Sequence, residues 1–212
     1  MRQFEGETSV ATTSFVRRAR AVLILALAAG TIALAGTVSP ASAGLGLACP
    51  DPTGKPFTPW SDYANYAFSP NGGFESGTTG WSVSGAKVAP GNESFYIHAS
   101  GDKYSLSMPA GASATSPPMC ISLLSGKMRF VARGDTGAKV KVQIVYRGLL
   151  SSVLGILDGG TMTVGKSWTP SPQVGMLGGV LPLLTSSVSF RFTASGGAAW
   201  IDDVYLDPMK SS

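Results

Sequence analysis

The chain has 212 residues, with 16 Lys plus Arg against 12 Asp plus Glu and a formal net charge of +4. Its downstream cations stand singly between Lys55 and Lys210, without the clustered stripe that a phosphate backbone demands, so nucleic acid is excluded as an expected partner. One histidine and two cysteines are too few ligands for a zinc centre when the cysteines pair with each other.

At the N-terminus, Arg17, Arg18 and Arg20 run into the apolar stretch 21–30, and Ala41-Ser42-Ala43 supplies the small residues that signal peptidase needs. This predicts a removable signal over 1–43, a mature start near Gly44 and a secreted, extracellular or cell-surface protein. The rival is an uncleaved anchor. Unbroken apolar character ends near Ala35, however, short of the roughly 20 residues of a bilayer span, so no membrane contact is expected after cleavage. The paired arginines also resemble a twin-arginine export signal. Removing residues 1–43 from 212 leaves 169, a length that suits one domain with a sizeable core. Lys plus Arg then falls from 16 to 12 and Asp plus Glu from 12 to 10, leaving +2.

Cys49 and Cys120 are expected to form one disulfide in an oxidising compartment, pinning the new N-terminus to the body. The alternative for Cys49 is lipidation, because Leu47-Ala48-Cys49 loosely echoes a lipoprotein box. Gly46 stands where such boxes carry a branched aliphatic residue. Residues 44–67 hold Pro50, Pro52, Pro56, Phe57, Pro59, Trp60, Tyr63 and Tyr66 with no regular period, and read as an irregular arm laid over the domain.

From Gly80 onward, short runs alternate apolar with polar residues and are broken by Gly, Pro, Ser and Asn near every tenth position, the rhythm of antiparallel sandwiches and barrels. In 139–146, Val140, Val142, Ile144 and Tyr146 share one face, opposite Lys139, Lys141 and Gln143. In 187–193, Val188, Phe190 and Phe192 oppose Ser189 and Arg191. Further strands are predicted at 104–108, 119–123, 127–133 and 199–206, and around 82–88 and 154–164. Residues 148–184 mix leucine, glycine and serine. A short helix over 149–157 is one reading there, and a hairpin closing at Leu157-Asp158-Gly159-Gly160 is the stronger one.

Two motifs go beyond composition: Asn71-Gly72-Gly73-Phe74-Glu75, continuing to Trp81, and Trp200-Ile201-Asp202-Asp203-Val204-Tyr205-Leu206-Asp207-Pro208. Together they resemble the galactose-binding-like jelly-roll domains, in particular the calcium-bearing carbohydrate-binding modules of secreted polysaccharide hydrolases. The resemblance implies an all-β fold, a jelly-roll β-sandwich of two antiparallel sheets over 68–212. Carried over by position, it implies a structural calcium held by Glu75 and Asp202, with Asp203 in addition and carbonyls near Gly91 and Asn92. The residues make a parallel case. In a regular strand over 199–206, Trp200, Asp202, Val204 and Leu206 share the core face, and a buried carboxylate wants a partner. A hard cation such as calcium can be that partner; backbone N–H groups or an arginine are the alternatives.

Catalysis finds little support. His98, beside Phe95 and Tyr96, has no Gly-x-Ser-x-Gly elbow to serve and reads as a rim residue. Asp202 and Asp203 are the one pair of adjacent acids, and in a regular strand they point to opposite faces and cannot flank one glycosidic bond. Aromatic platforms for a sugar would be Trp60, Tyr63, Trp168 and Tyr205, each with a structural role as its alternative. The expected function is a secreted non-catalytic module for a polysaccharide or cell-surface glycan. The alternative is a stand-alone surface or matrix protein contacting other proteins through 148–184.

Overall fold

Alternation along the chain translates into two stacked layers. The computed structural model describes residues 51–120, 126–148, 152–176 and 185–208, all within one unit, Ser42–Ser212. The strands are β1 (Ala67–Phe68), β2 (Ser82–Ser84), β3 (Lys87–Pro90), β4 (Tyr104–Met108), β5 (Ser113–Thr115), β6 (Met119–Cys120), β7 (Lys127–Gly134), β8 (Lys139–Arg147), β9 (Val153–Thr163), β10 (Thr169–Pro170), β11 (Val174–Gly175), β12 (Ser187–Ser195) and β13 (Ala199–Asp207). One sheet runs β10-β7-β13-β4-β3, with β1 on β13 and β11 on β7; the other runs β2-β5-β12-β8-β9, with β6 on β12. Every pairing is antiparallel. This is a jelly-roll β-sandwich carrying an irregular N-terminal arm, as the motifs imply. Among the described residues, no helix is long and apolar enough to cross a membrane.

The dry layer follows from side-chain parity. Val140, Val142, Ile144 and Tyr146 on β8 meet Val188, Phe190, Phe192 and Ala194 on β12 in one core with Phe130, Leu106 and Met108 from the other sheet. Phe192 takes Phe130 edge-on at 5.0 Å between ring centres and lies over Trp81 at 6.1 Å. Each such side chain removed from water contributes roughly 1.5–3 kcal/mol.

The arm is seated by a second, smaller cluster on the outer face of β13. Phe57 and Tyr66 pack on Tyr205, with ring centres at 5.5 and 6.5 Å. Beneath them Arg129 on β7 pairs with Asp62 at 2.9 Å, both buried. The Tyr66 hydroxyl donates to Asp62 (2.7 Å), and Arg129 Nε donates to the Ser171 carbonyl (2.8 Å). Burial lifts the Asp62 carboxyl, but hydrogen bonds involving Gln173, Tyr66 and Arg129 outweigh it and hold the group below its ordinary range.

Three expectations are corrected. The stretch around 154–164 is no hairpin: Val153–Thr163 form the single long strand β9, and Asp158-Gly159-Gly160 forms a bulge where the register on β8 slips between Val142 and Gln143. Gly160 adopts φ +98° there, and the Asp158 carboxylate accepts its N–H at 2.9 Å. A bulge absorbs the same turn-prone residues without reversing the chain. The helix over 149–157 fails at its described end, since Val153 to Leu157 belong to β9; 149–151 lie outside the described residues. Trp200 faces outward instead of into the core, its neighbour Ile201 being the buried one. Its ring lies under the Arg133 guanidinium at 4.4 Å, and Trp168 lies on the same guanidinium at 5.1 Å.

Cys49 and residues 1–43 fall outside the described residues. Cys120 ends β6, and among the described residues no cysteine is free.

Candidate functional site: an acidic corner and a hydroxyl-lined groove

The Asn71-to-Trp81 motif is a fold device first. Asn71 Oδ1 accepts the Ser76 N–H (3.0 Å), and its Nδ2 donates to the carbonyl of Gly77 (2.9 Å), closing the turn. Phe74, at φ +61°, drops into the core against Trp81 at 4.8 Å. The glycines are dictated by proximity to β13. A Cβ on Gly72 would stand 2.8 Å from the Val204 carbonyl oxygen, and one on Gly73 would stand 3.1 Å from Asp203 Oδ1.

That oxygen belongs to a bulge. On β13, Asp202 pairs with Val131 but the next partners are Tyr205 and Arg129, so one extra residue is inserted, and Asp203 takes φ +46°. The core face therefore switches parity. Ala199 and Ile201 point inward before the bulge, Val204 and Leu206 after it. The two aspartates consequently do not diverge as a regular strand would require. Both turn to the segment 91–98: Asp202 Oδ2 accepts the Glu93 N–H (2.9 Å), and Asp203 Oδ2 accepts the His98 N–H (3.0 Å). Asp202 Oδ1 also accepts the Asp203 N–H at 2.9 Å.

Segment 91–98 brings its own acid. Glu93 is fully buried, and its two oxygens accept the N–H groups of Ile97 and Phe95, each at 2.5 Å. Asp102 meets His98 Nδ1 at 2.7 Å, and the imidazole stacks on Phe68 with ring centres 3.8 Å apart. Glu93, Asp102, Asp202 and Asp203 thus gather at one corner, and among the described residues no Lys or Arg pairs with any of them.

The electrostatic cost is visible in the carboxyl groups. Burial, then the neighbouring Asp203, pushes Asp202 up to about 9. Burial, offset in part by the His98 N–H and aggravated by Glu93 and Asp102, pushes Asp203 up to about 7. Among the described residues, Asp203 Oδ1 is buried with no hydrogen-bond partner, and so is Asn92 Oδ1. Atoms of His98, Asp102 and Asp203 lie within 4.8 Å of one another. Crowded carboxyl groups with an unspent buried oxygen suit a divalent cation, whose charge would favour their ionised forms and remove the repulsion between them.

The predicted ligand set is redistributed by this geometry. Asp203 is open to a metal. Asp202 already accepts backbone N–H groups on both oxygens, which was the alternative reading of it. Glu75 is exposed and accepts the Lys103 and Tyr104 N–H groups through Oε1, both at 2.8 Å. It still shares a 220 Å³ pocket with Gly73, Phe68 and His98. The Gly91 carbonyl accepts the Ser105 hydroxyl at 2.6 Å. Sequence reasoning missed Glu93, Asp102 and His98, because their role depends on a loop folding back over a bulge. The one signal was Glu93 adjoining the Gly91-Asn92 pair.

The four aromatic candidates are not brought together. Tyr205 is only 3% exposed, walled by Phe57, Tyr66 and Phe68, and cannot offer a ring face to a sugar. Trp60 is half-buried and packs edge-on against Phe95 at 4.9 Å, seating the arm. Trp168 stacks on Arg133. Tyr63 alone stands free, at 64% exposed.

A different surface offers polar groups. On β12 the residues between the core-facing ones point outward, and the register aligns Ser82, Thr115, Arg191 and Gln143 in one row and Ser84, Ser113, Thr193 and Lys141 in the next. Apart from Lys141 these line a groove of about 450 Å³. None of their side chains has a hydrogen-bond or ion-pair partner among the described residues. Lys141 reaches Asp158 at 2.9 Å.

Neither a protein-family model nor a curated protein matches the chain. Among solved structures, it is similar to the enzymatically active domain of tailspike protein 4 of bacteriophage CBA120 (14% identity, TM-score 0.49, 65% of this chain and 20% of that one). It is also similar to the module TmCBM61, solved with β-1,4-galactotriose (18% identity, TM-score 0.40, 66% and 96%). A third is the CBM22-1 xylan-binding domain of Paenibacillus barcinonensis Xyn10C (17% identity, TM-score 0.45, 66% and 93%). The chain spans a fifth of the tailspike domain's length and nearly all of each module. Carbohydrate-binding modules, the group the two motifs resemble, are thus among its structural neighbours.

Proposed function

We propose that the chain is a secreted, non-catalytic carbohydrate-binding module that holds a polysaccharide or cell-surface glycan along the outer face of the sheet β2-β5-β12-β8-β9. The observation that carries this reading is the groove itself, where serine and threonine hydroxyls, Gln143 and Arg191 project from the sheet without a side-chain hydrogen-bond partner among the described residues. Hydroxyls and amides both donate and accept, which is what a sugar's hydroxyls ask of a site. The lining includes no carboxylate for the acid and base work of glycoside hydrolysis. Calcium at the acidic corner is part of the same proposal, with Asp203 and Asp102 as its carboxylates, His98 and Glu75 at the rim, and a structural role in locking 91–98 onto β13. The Cys49–Cys120 bond would hold the arm's start to the body.

The test is a glycan array and polysaccharide pull-down with the secreted chain, repeated with Thr115→Ala and Gln143→Ala. Retention that weakens in both variants supports the reading. Absence of retention on any glycan refutes it. The second reading, a surface protein contacting other proteins, is favoured by one observation: Val153, Leu154 and Ile156 are exposed at the start of the edge strand β9, an apolar edge of the kind that invites a partner strand.

A further inference from the structure

Among the polar groups of the groove, one carries an unanswered charge. Arg191 sits mid-row on β12, with Thr115 on one side and Gln143 on the other, in the centre of a sheet whose strands are about 4.8 Å apart. It is half-buried, and among the described residues it makes no ion pair. The acid nearest in the row is Asp158, across Gln143, and its carboxylate is already engaged by Lys141 at 2.9 Å.

We infer that the groove takes a carboxylated polysaccharide, a uronate chain, with the Arg191 guanidinium gripping one carboxylate and the flanking hydroxyls and Gln143 holding the sugar hydroxyls. This rests on the glycan reading above and specifies its substrate class. Three physical arguments converge on it. A neutral sugar laid over Arg191 would strip water from a cation and return no counter-charge, which is costly. A guanidinium presents a planar fork of donors that matches a carboxylate bidentately. A densely sulfated chain would want a cation at each repeat, whereas here one uncancelled cation stands among neutral hydroxyls, the pattern of a ligand that is mostly hydroxyl with a carboxylate at intervals.

The test compares oligogalacturonate with its fully methyl-esterified form by titration calorimetry on the full mature chain, with neutral xylan and galactan oligosaccharides and a sulfated dextran as further arms. Esterification keeps the sugar ring and its hydroxyls while capping the carboxylate and removing its charge. Binding of the free acid, at least tenfold weaker for the ester and for Arg191→Gln, and intermediate for Arg191→Lys, is the expected result. Lys139→Gln, on the same sheet but outside the groove lining, should bind as the unaltered protein does. Arg191 lies outside the core, so each variant's melting midpoint checks that it folds. Equal binding of acid and ester, binding of neutral oligosaccharides unaffected by Arg191→Gln, or binding of sulfated dextran alone would each overturn the uronate assignment while leaving a glycan module standing. Binding of none of them would overturn both.

Discussion

Replacing Asp203 with Asn separates a cation site from a merely crowded corner. Raising this buried carboxyl from its ordinary 3.8 to about 7 costs the folded state about 4 kcal/mol once the group is ionised. Asn keeps the shape, still accepts the His98 N–H, and turns its amide toward Asp102 where Asp203 presents an unpartnered oxygen. In chelator at pH 8, Asp203→Asn should therefore melt several degrees above the unaltered chain, since one kcal/mol moves a domain of this size by about 2–4 °C. Calcium should reverse the order. At a thousandfold excess over its dissociation constant it would stabilise the unaltered chain by about 4 kcal/mol and leave the variant nearly unmoved. The pH dependence has a definite sign. Because both aspartates bind protons more tightly folded than unfolded, the calcium-free protein loses stability as pH rises from about 4 through 7 and toward 9, and bound calcium should flatten that slope. Scanning calorimetry with and without chelator checks all of this. A variant that melts lower than the original in chelator, with both shifting equally on adding calcium, would refute the reasoning.

Three further outcomes are expected. Asp62→Ala leaves the buried Arg129 guanidinium without its counter-charge and should cost about 3–5 kcal/mol, roughly 6–20 °C in midpoint; Asp62→Ala with Arg129→Met should recover part of it in a thermal melt. Because Asp62 is held below its ordinary range, its contribution is present at neutral pH and fades as pH falls below about 4. Reduction of the proposed Cys49–Cys120 bond should lower stability by about 4 kcal/mol for a loop of this length, read as a fall in midpoint with reductant that Cys120→Ser abolishes. If the apolar start of β9 recruits a second chain, light scattering will show concentration-dependent association that Ile156→Lys removes; a monomer at all concentrations disposes of self-association there.

The layers of this protein were legible because period-two burial is a local property. Val142 and Phe190 could be assigned to the interior from their neighbours two residues away, and β4, β7, β8 and β12 lie where alternation puts them. Where the chain departs from regularity, the same rule misleads. Trp200 was predicted inside and Asp202 and Asp203 on opposite faces, and the inserted residue at the β13 bulge reversed both outcomes. Gly159 and Gly160 spell a turn but serve a bulge, because turns and bulges draw on the same residues. Glu75 stood out by its motif, yet the corner draws on Glu93, His98 and Asp102, about a hundred positions from β13, which no spacing rule connects.

By itself the sequence determined the class of the fold and the dry face of most strands, since each follows from side-chain type and its nearest neighbours; an acid-bearing junction with the last strand was implied only by the resemblance of the two motifs. The tertiary structure alone decided which acids gather at the β13 corner, that Tyr205 is sealed under the arm, and that Arg191 stands without an ion-pair partner among the described residues, between Thr115 and Gln143. Those outcomes depend on strand order, register and a single bulge, and such long-range pairings are set by the packing of the whole sandwich.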